Sequence, residues 1–200
     1  MLTETIIDLI RHGEPVGGNR YRGHTVDDPL SEKGWSQMWN AVGECTAWNQ
    51  IITSPLQRCQ RFAHVLGEHR GIPVTVESRF KEVGFGVWEG MSHDEVKIDR
   101  AAEYQAFLKD PVNQRPHGAE PLDEFIRRVN SAYQDAIERY RHSHFLIVAH
   151  AGVMRAIIAK TIHAAPVGLY RIKISNGGIT RIRDTKNGGT LELLNGKLSN

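Results

Sequence analysis

The sequence predicts an α/β fold, a three-layer α/β/α sandwich with a mostly parallel central sheet and a C-terminal β-hairpin. Short apolar runs alternate with longer segments of helical periodicity along most of the chain. Strands that alternate with helices are typical of a parallel sheet that is covered on both faces. In the tail, β-rich runs on either side of the Gly-containing segment 175–178 predict the hairpin.

The predicted strands are short and rich in apolar or β-branched residues. They cover residues 5–10, 50–53, 73–76, 144–149, 170–174, 179–183 and 190–194. The run 144–149 is almost continuously apolar, as expected for a strand that is buried on both faces. The edge of the tail hairpin offers a surface on which a homodimer could form.

Helices are predicted over residues 31–48, 56–69, 122–141 and 151–163. Ser31 is a suitable N-cap for the first helix, and Pro55 suits the start of the second. The third has the clearest amphipathic pattern, because its apolar side chains are spaced three and four residues apart.

Composition is that of an ordinary globular protein, with 40% hydrophobic and 24% charged residues. No linker or repeat divides the chain, so one domain over 1–200 is expected. The formal charge of +2 is too small to indicate a nucleic-acid or membrane partner. No leader-like segment opens the chain, which favours the cytoplasm. Two cysteines without a Cys/His cluster indicate no disulfide framework, metal or cofactor.

Polar side chains follow three of the predicted strands. Arg11 and His12 come directly after the first strand. Ser54 and Arg58 follow the second, and His150 follows the apolar fourth strand. The carboxyl ends of parallel strands meet at one edge, where such sheets bind ligands. Because an arginine fork fits phosphate oxygens and a helix start favours anions, this edge is predicted to bind an anion.

Each of these signals has an ordinary structural alternative when it is taken alone. Arg58 could be a solvated helix arginine, and His150 could be a hydrogen-bonded core histidine. Glu82 lies in a segment rich in glycine and aromatic residues, 81–90, where a carboxyl group could donate a proton if burial raised its pKa. An exposed glutamate is the simpler interpretation of that segment by itself.

Together, the four signals favour a functional site. In the order RHG, SxxxR, E and H, at these spacings, they resemble the histidine phosphatase superfamily, also called phosphoglycerate mutase-like, over residues 5–195. The resemblance implies that His12 is the nucleophile. It implies that Glu82 protonates the leaving oxygen and later activates water. It also implies a pocket around the transferred phosphoryl group, made by Arg11, Arg58 and His150.

Within the superfamily, the chain is most similar to the short phosphatases that resemble α-ribazole phosphatase. Residues 20–24, 85–90 and 110–120 are similar to their GRYxG, FGxWEG and DPxxxxPPGGES stretches. The resemblance implies a further group of residues that bind the substrate: Asn19, Arg22, Gly23, His24 and Ala151. The loops 20–28 and 94–115 should determine which substrate is bound. The identity of the substrate stays open, because the chain departs from the family pattern at Gly18, Ala119 and Pro121.

The expected reaction needs no metal. A phosphoryl group in transfer spreads its charge over three oxygens, which fixed positive side chains can hold. Two arginines and a second histidine supply them, whereas Mg²⁺ would need carboxylates here. His12 would attack as a neutral imidazole, with its other ring nitrogen bound to a backbone carbonyl. The expected function is a metal-independent phosphomonoesterase for a small phosphorylated metabolite, with α-ribazole 5'-phosphate as a candidate.

Two other functions are open alternatives. A cofactor-dependent phosphoglycerate mutase carries a longer insertion after the catalytic glutamate, whereas the stretch between Glu82 and Gly118 is short here. Water should therefore reach the phosphohistidine, which favours hydrolysis. An inactive module that binds a phosphorylated partner would be indicated by loss of the nucleophile or of an arginine, and all of these groups are present.

Overall fold

The computed structural model describes residues 3–198 and contains six strands that form one mixed sheet. The strands are β1 (Thr5–Arg11), β2 (Gln50–Thr53), β3 (Val74–Val76), β4 (His144–Ala149), β5 (Ile179–Thr185) and β6 (Gly188–Gly196). Their order across the sheet is β3-β2-β4-β1-β5-β6. Within those residues, six α-helices flank the strands: α1 (Glu32–Val42), α2 (Gln57–Arg70), α3 (His93–Asp99), α4 (Ala101–Lys109), α5 (Leu122–Arg139) and α6 (Ala151–Thr161). Short 3₁₀ turns lie at Ser78–Phe80, Gly86–Trp88 and Pro166–Arg171.

The first four strands are parallel, and β5 and β6 extend the sheet in antiparallel fashion. β4 lies between β2 and β1, so that Ala149 pairs with Arg11 and Val148 pairs with Thr53. The carboxyl ends of three neighbouring strands therefore stand side by side. This confirms the mostly parallel sheet and brings the polar residues that follow these strands to one edge.

The two faces of the sheet carry separate apolar cores. Phe145, Ile147 and Ala149 belong to the core that includes α5 and α6. The alternate residues of β4, Leu146 and Val148, belong to the core that includes α1 and α2. Helices thus cover both faces, which confirms the three-layer sandwich.

The predicted helices are present, but some of their ends differ. Ser31 caps α1, and its Oγ accepts a hydrogen bond from the amide of Gly34 at 3.0 Å. α1 ends at Val42 rather than at residue 48, because Gly43 takes a φ of 51° and its amide closes the last turn. The segment 94–115 is not only a loop, since it contains most of α3 and all of α4. Among the described residues, no helix is both long and apolar enough to span a membrane.

A C-terminal hairpin is present, but the predicted strand pair is wrong. β5 pairs with β6 across a turn at 186–187, whereas the prediction placed the turn at 175–178. The predicted strand 170–174 does not form, because its first residues continue the 3₁₀ turn Pro166–Arg171.

The segment 172–178 joins the carboxyl end of β1 instead. The amide of Gly177 donates to the carbonyl of Arg11 at 3.1 Å, and the carbonyl of Gly178 accepts from the amide of Arg11 at 3.2 Å. These bonds fix the segment beside the edge where the polar residues meet.

One carboxylate, that of Asp8, is completely buried in the middle of β1. It accepts hydrogen bonds from Trp48 Nε1 at 2.9 Å, from His144 Nε2 at 2.8 Å, and from two guanidinium nitrogens of Arg181 at 2.8 and 2.9 Å. Burial alone would raise the pKa of Asp8, but the hydrogen bonds from His144 and Arg181 hold it below 3.8. Through this carboxylate, β1 is tied to β4, β5 and the loop before β2.

Asp8→Ala is expected to destabilise the protein by roughly 3–5 kcal/mol, because it leaves buried donors without their acceptor. Since the folded-state pKa of Asp8 is depressed, its stabilisation is present above pH 3.8 and is lost as the pH falls through the lower folded-state pKa. Urea unfolding at neutral pH measures the loss. Asp94→Ala is the control, because that carboxylate is 84% exposed, and an equally large loss there would contradict a special role for Asp8.

Candidate active site

Residues that follow three strands form one buried cluster. His12 follows β1 and His150 follows β4, and their rings lie edge to face with centroids 5.2 Å apart. Arg58 comes from the first turn of α2, which follows β2. All three side chains are buried. The structure therefore brings together the groups that the sequence predicts at this edge.

The His12 ring is oriented by the main chain. Its Nδ1 lies 2.7 Å from the carbonyl oxygen of Gly13. Since a carbonyl can only accept, Nδ1 carries a proton and Nε2 keeps its lone pair in the neutral ring. The tight turn requires glycine at position 13, because a Cβ there would lie 2.0 Å from the carbonyl oxygen of Gly34. The bond is the backbone contact that the sequence predicts.

Both histidines of the cluster are neutral at neutral pH. Burial, followed by the charges of Arg11 and Arg58, holds the pKa of His12 well below 6.5. Burial, followed by the positive charge of Arg58, likewise holds the pKa of His150 well below 6.5. Nε2 of His12 is therefore available as a nucleophile.

His150 is fixed by two small side chains. Its Nε2 lies 2.6 Å from Oγ of Ser54 and 3.6 Å from Sγ of Cys59. Ser54 also accepts a hydrogen bond from the amide of Leu56 at 3.2 Å, which holds its hydroxyl beside His150. Burial raises the pKa of Cys59, so this group stays a thiol.

Two arginines of the site each keep one buried donor unpaired within the described residues. Arg58 donates from its terminal nitrogens to the carbonyls of Gly23 at 2.9 Å and Val26 at 3.0 Å. Arg11 donates to the carbonyl of Ile174 at 2.7 Å, and burial lowers its pKa to about 10, which leaves it charged at neutral pH. The Nε atoms of both arginines are buried and have no acceptor within residues 3–198. Such donors indicate a binding site for an anion.

Glu82 brings a carboxylate to the same edge. Its oxygens accept hydrogen bonds from the amides of Val83 at 2.9 Å and Gly152 at 3.1 Å. Gly152 lies in the first turn of α6, so this bond joins Glu82 to the residues that follow His150. A Cβ on Gly152 would lie 2.2 Å from Oε1 of Glu82, so the contact depends on this glycine.

The residues predicted to bind the substrate occupy different positions. Arg22 is buried, and its guanidinium donates to Asp28 at 2.8 Å and to a backbone carbonyl. Asn19 is exposed, with its amide nitrogen 3.4 Å from Nδ1 of His93. Ala151 is the first residue of α6 and is buried. Of these three, Arg22 is close enough for its charge to lower the pKa of His12.

Gly23 and His24 support other residues of the site. The carbonyl of Gly23 accepts from Arg58, and a Cβ at its φ of 52° would collide with the carboxylate of Glu89. His24 places Nδ1 3.2 Å from the carbonyl oxygen of Glu82. Their contacts therefore join the loop before α1 to both Arg58 and Glu82.

The sequence did not predict several hydrogen bonds by which distant parts of the chain hold the site residues in place. Glu89 accepts from the amides of Phe85 at 2.7 Å and Thr25 at 2.9 Å, which holds two loops together. The carbonyl of Ile174 orients Arg11, and Arg128 reaches the Glu82 segment from α5. No local sequence pattern predicts these contacts. Any residue type can offer a backbone carbonyl, and an arginine on a helix normally faces water.

The positive charge at this edge comes from arginine side chains. Within residues 3–198, no three histidine, cysteine, aspartate or glutamate side chains are grouped as metal ligands. Fixed guanidinium groups can hold the charged oxygens of a phosphoryl group in transfer.

Comparison with known proteins identifies the family. Residues 7–197 match the histidine phosphatase superfamily (branch 1). The adenosylcobalamin/alpha-ribazole phosphatase of Escherichia coli (strain K12) is 27% identical over 193 residues, which are 94% of this chain and 95% of the relative. Phosphoserine phosphatase 1 of Hydrogenobacter thermophilus is 30% identical over 155 residues, which are 74% of this chain and 72% of the relative.

The fold agrees with this match. The crystal structure of the alpha-ribazole phosphatase from Shigella flexneri superposes with a TM-score of 0.82 at 27% identity, covering 98% of this chain and 100% of the other. This similarity confirms the predicted phosphoglycerate mutase-like fold. The chain is therefore a phosphatase that belongs to the histidine phosphatase superfamily (branch 1).

Proposed function

We propose that this phosphatase hydrolyses phosphomonoesters through a phosphohistidine on His12, without a metal. One observation carries the proposal: the neutral His12 ring, with Nε2 available, lies in a buried cluster with two arginine Nε donors that have no acceptor among the described residues. A nucleophile beside unpaired cationic donors fits a phosphoryl group and its three charged oxygens.

The reaction has two steps. First, Nε2 of His12 attacks phosphorus, the bond from phosphorus to the substrate oxygen breaks, and the protonated form of Glu82 gives its proton to the leaving oxygen. Arg11, Arg58 and His150 surround the transferred group. Water then attacks phosphorus, the phosphorus–nitrogen bond breaks, and Glu82 takes a proton from the water. The products are the free alcohol and inorganic phosphate, and His12 and Glu82 return to their starting states.

The proposed substrate is a small phosphorylated metabolite, with α-ribazole 5'-phosphate as the first candidate. Alpha-ribazole phosphatases match over nearly the whole chain, whereas the phosphoserine phosphatase matches over 74% of it. Hydrolysis rather than mutase chemistry is supported by the phosphatase names of these relatives. The cytoplasmic location and the lack of a nucleic-acid partner stay predictions. A homodimer also stays a prediction, for which the outer edge of β6, the last strand of the sheet, is the candidate surface.

His12→Ala should abolish turnover, because it removes the nucleophile. The wild type, stopped during turnover, should carry acid-labile and base-stable phosphate that is missing in the variant. The assays are run in EDTA, since the proposed mechanism contains no metal. His64→Ala, an exposed histidine of α2, is the control and should keep full activity. Full activity in His12→Ala, or a strict need for an added divalent ion, would contradict the mechanism.

Glu82→Gln should slow phosphoryl transfer from an alkyl phosphate much more than from an aryl phosphate. An aryl oxide leaves without a proton, whereas an alkoxide needs one, and general acid help is worth ~10²–10⁴-fold. Arg58→Ala removes charge stabilisation, so it should slow both substrates similarly. Single-turnover rates are needed, because Glu82 also acts in the second step. Equal losses for both leaving groups in Glu82→Gln would show that Glu82 is not the acid.

Gly152→Ala should lower the alkyl phosphate rate by up to about 100-fold, since a displacement of ~1 Å at a reacting group can cost that much. The new Cβ would displace the Glu82 carboxylate. Activity should therefore fall much more than thermal stability. Gly168→Ala is the control, because its Cβ would meet only Ala164 at an ordinary 3.7 Å. Unchanged alkyl phosphate turnover in Gly152→Ala would mean that Glu82 acts from another position.

A further inference from the structure

Arg128, on α5, has an acceptor for each of the five N–H donors of its guanidinium. Nε and one terminal nitrogen pair with the two carboxylate oxygens of Glu120 at 2.7 and 2.8 Å. The remaining donors bind the backbone carbonyls of Arg79, Lys81 and Glu82 at 2.5, 2.8 and 3.0 Å. One side chain therefore holds three carbonyls of the segment that ends at Glu82.

Glu120 extends this hold to the residues after Glu82. Its Oε2 also accepts from the amide of Gly84 at 3.1 Å, and its own amide donates to the carbonyl of Gly84 at 3.2 Å. Burial would raise the pKa of Glu120, but Arg128 holds it below 4.5, so the pair is ionic at neutral pH. The main chain is thus fixed before, at and after Glu82 by one ion pair, here named the Glu82 clamp (Arg128 and Glu120).

The carboxylate of Glu82 depends on this main-chain position. It is held by the amides of Val83 and Gly152, and Val83 is part of the clamped segment. A shift of the segment would therefore carry the carboxylate away from α6 and from the phosphoryl pocket.

We propose that the Glu82 clamp positions Glu82 for proton transfer to the leaving group, an inference that rests on the proposed role of Glu82 as the acid. Arg128 is a positioning residue, because it acts through the main chain of the segment 79–84. Lysine cannot replace it, since a single ammonium with three donors cannot reach five acceptors that lie around a planar fork.

A purely structural role for Arg128 would have a different signature. An arginine that only ties α5 to the segment 79–84 would lower stability and slow all substrates alike. A residue that positions the proton donor changes how strongly the rate depends on the leaving group. The two roles can therefore be separated by comparing alkyl and aryl phosphates.

The first test is Arg128→Lys, with single-turnover phosphorylation rates measured for both leaving groups below the melting temperature. The phosphorylation rate with the alkyl phosphate should fall at least about tenfold more than the rate with the aryl phosphate, since misplacement of a reacting group by ~1 Å lowers a rate by up to about 100-fold. Arg127→Lys is the matched control, because Arg127 is the preceding residue of α5, is 71% exposed and pairs with Asp123 at 3.3 Å. Both of its rates should stay unchanged.

The second test is a double-mutant cycle with Glu82→Gln. Once the acid is gone, Arg128→Lys should add little further loss with the alkyl phosphate, because the two residues act as one unit. Equal losses for both leaving groups in Arg128→Lys, or full additivity in the cycle, would overturn the proposal.

Glu120→Gln covers the case in which Arg128→Lys does not fold. The glutamine keeps one carboxamide oxygen as an acceptor, so the phosphorylation rate should fall less than in Arg128→Lys. The fall should again be larger for the alkyl phosphate than for the aryl phosphate. An unselective loss in a folded Glu120→Gln would again overturn the proposal. Failure of the underlying mechanism is recognised separately, because Glu82→Gln alone would then show no dependence on the leaving group.

Discussion

The site depends on two arginines whose guanidinium groups bind backbone carbonyls. Arg11 and Arg58 donate to these carbonyls from terminal nitrogens, and the carboxylate that faces Arg58, that of Asp27, is 3.6 Å away and 39% exposed. A carbonyl accepts a hydrogen bond without neutralising the donor. The remaining positive charge lowers the pKa of both His12 and His150 and stays available for an anion.

Because carbonyls orient the arginines, the loops that carry those carbonyls must be held in place. The segment 172–178 is fixed by its bonds to the end of β1, and the segment 23–26 is fixed by Glu89. Glu89 and Glu120 are therefore used within the protein, where they bind amides and a guanidinium. Of the acidic residues of the segment 82–89, Glu82 alone binds to an amide of α6.

Local patterns were sufficient to predict the residues that follow strands. His12, Arg58 and His150 are separated widely along the chain, yet each follows an apolar run whose strand character can be recognised in a few residues. The hairpin could not be located in the same way, because residues 170–174 have strand composition, yet residues 170–171 continue a 3₁₀ turn and the carbonyl of Ile174 binds Arg11. Arg128 could not be recognised either, since on an amphipathic helix it is simply a polar residue.

The central position of β4 has a consequence for how the protein is made. β4 lies between β1 and β2, although it is the fourth strand along the chain. During synthesis both earlier strands therefore leave the ribosome without the neighbour that separates them in the native sheet. Their unpaired edges can bind other chains in the meantime, and closing such distant contacts slows folding. A nascent chain that ends before residue 144 already carries His12 and Arg58, but it lacks the strand that brings them together.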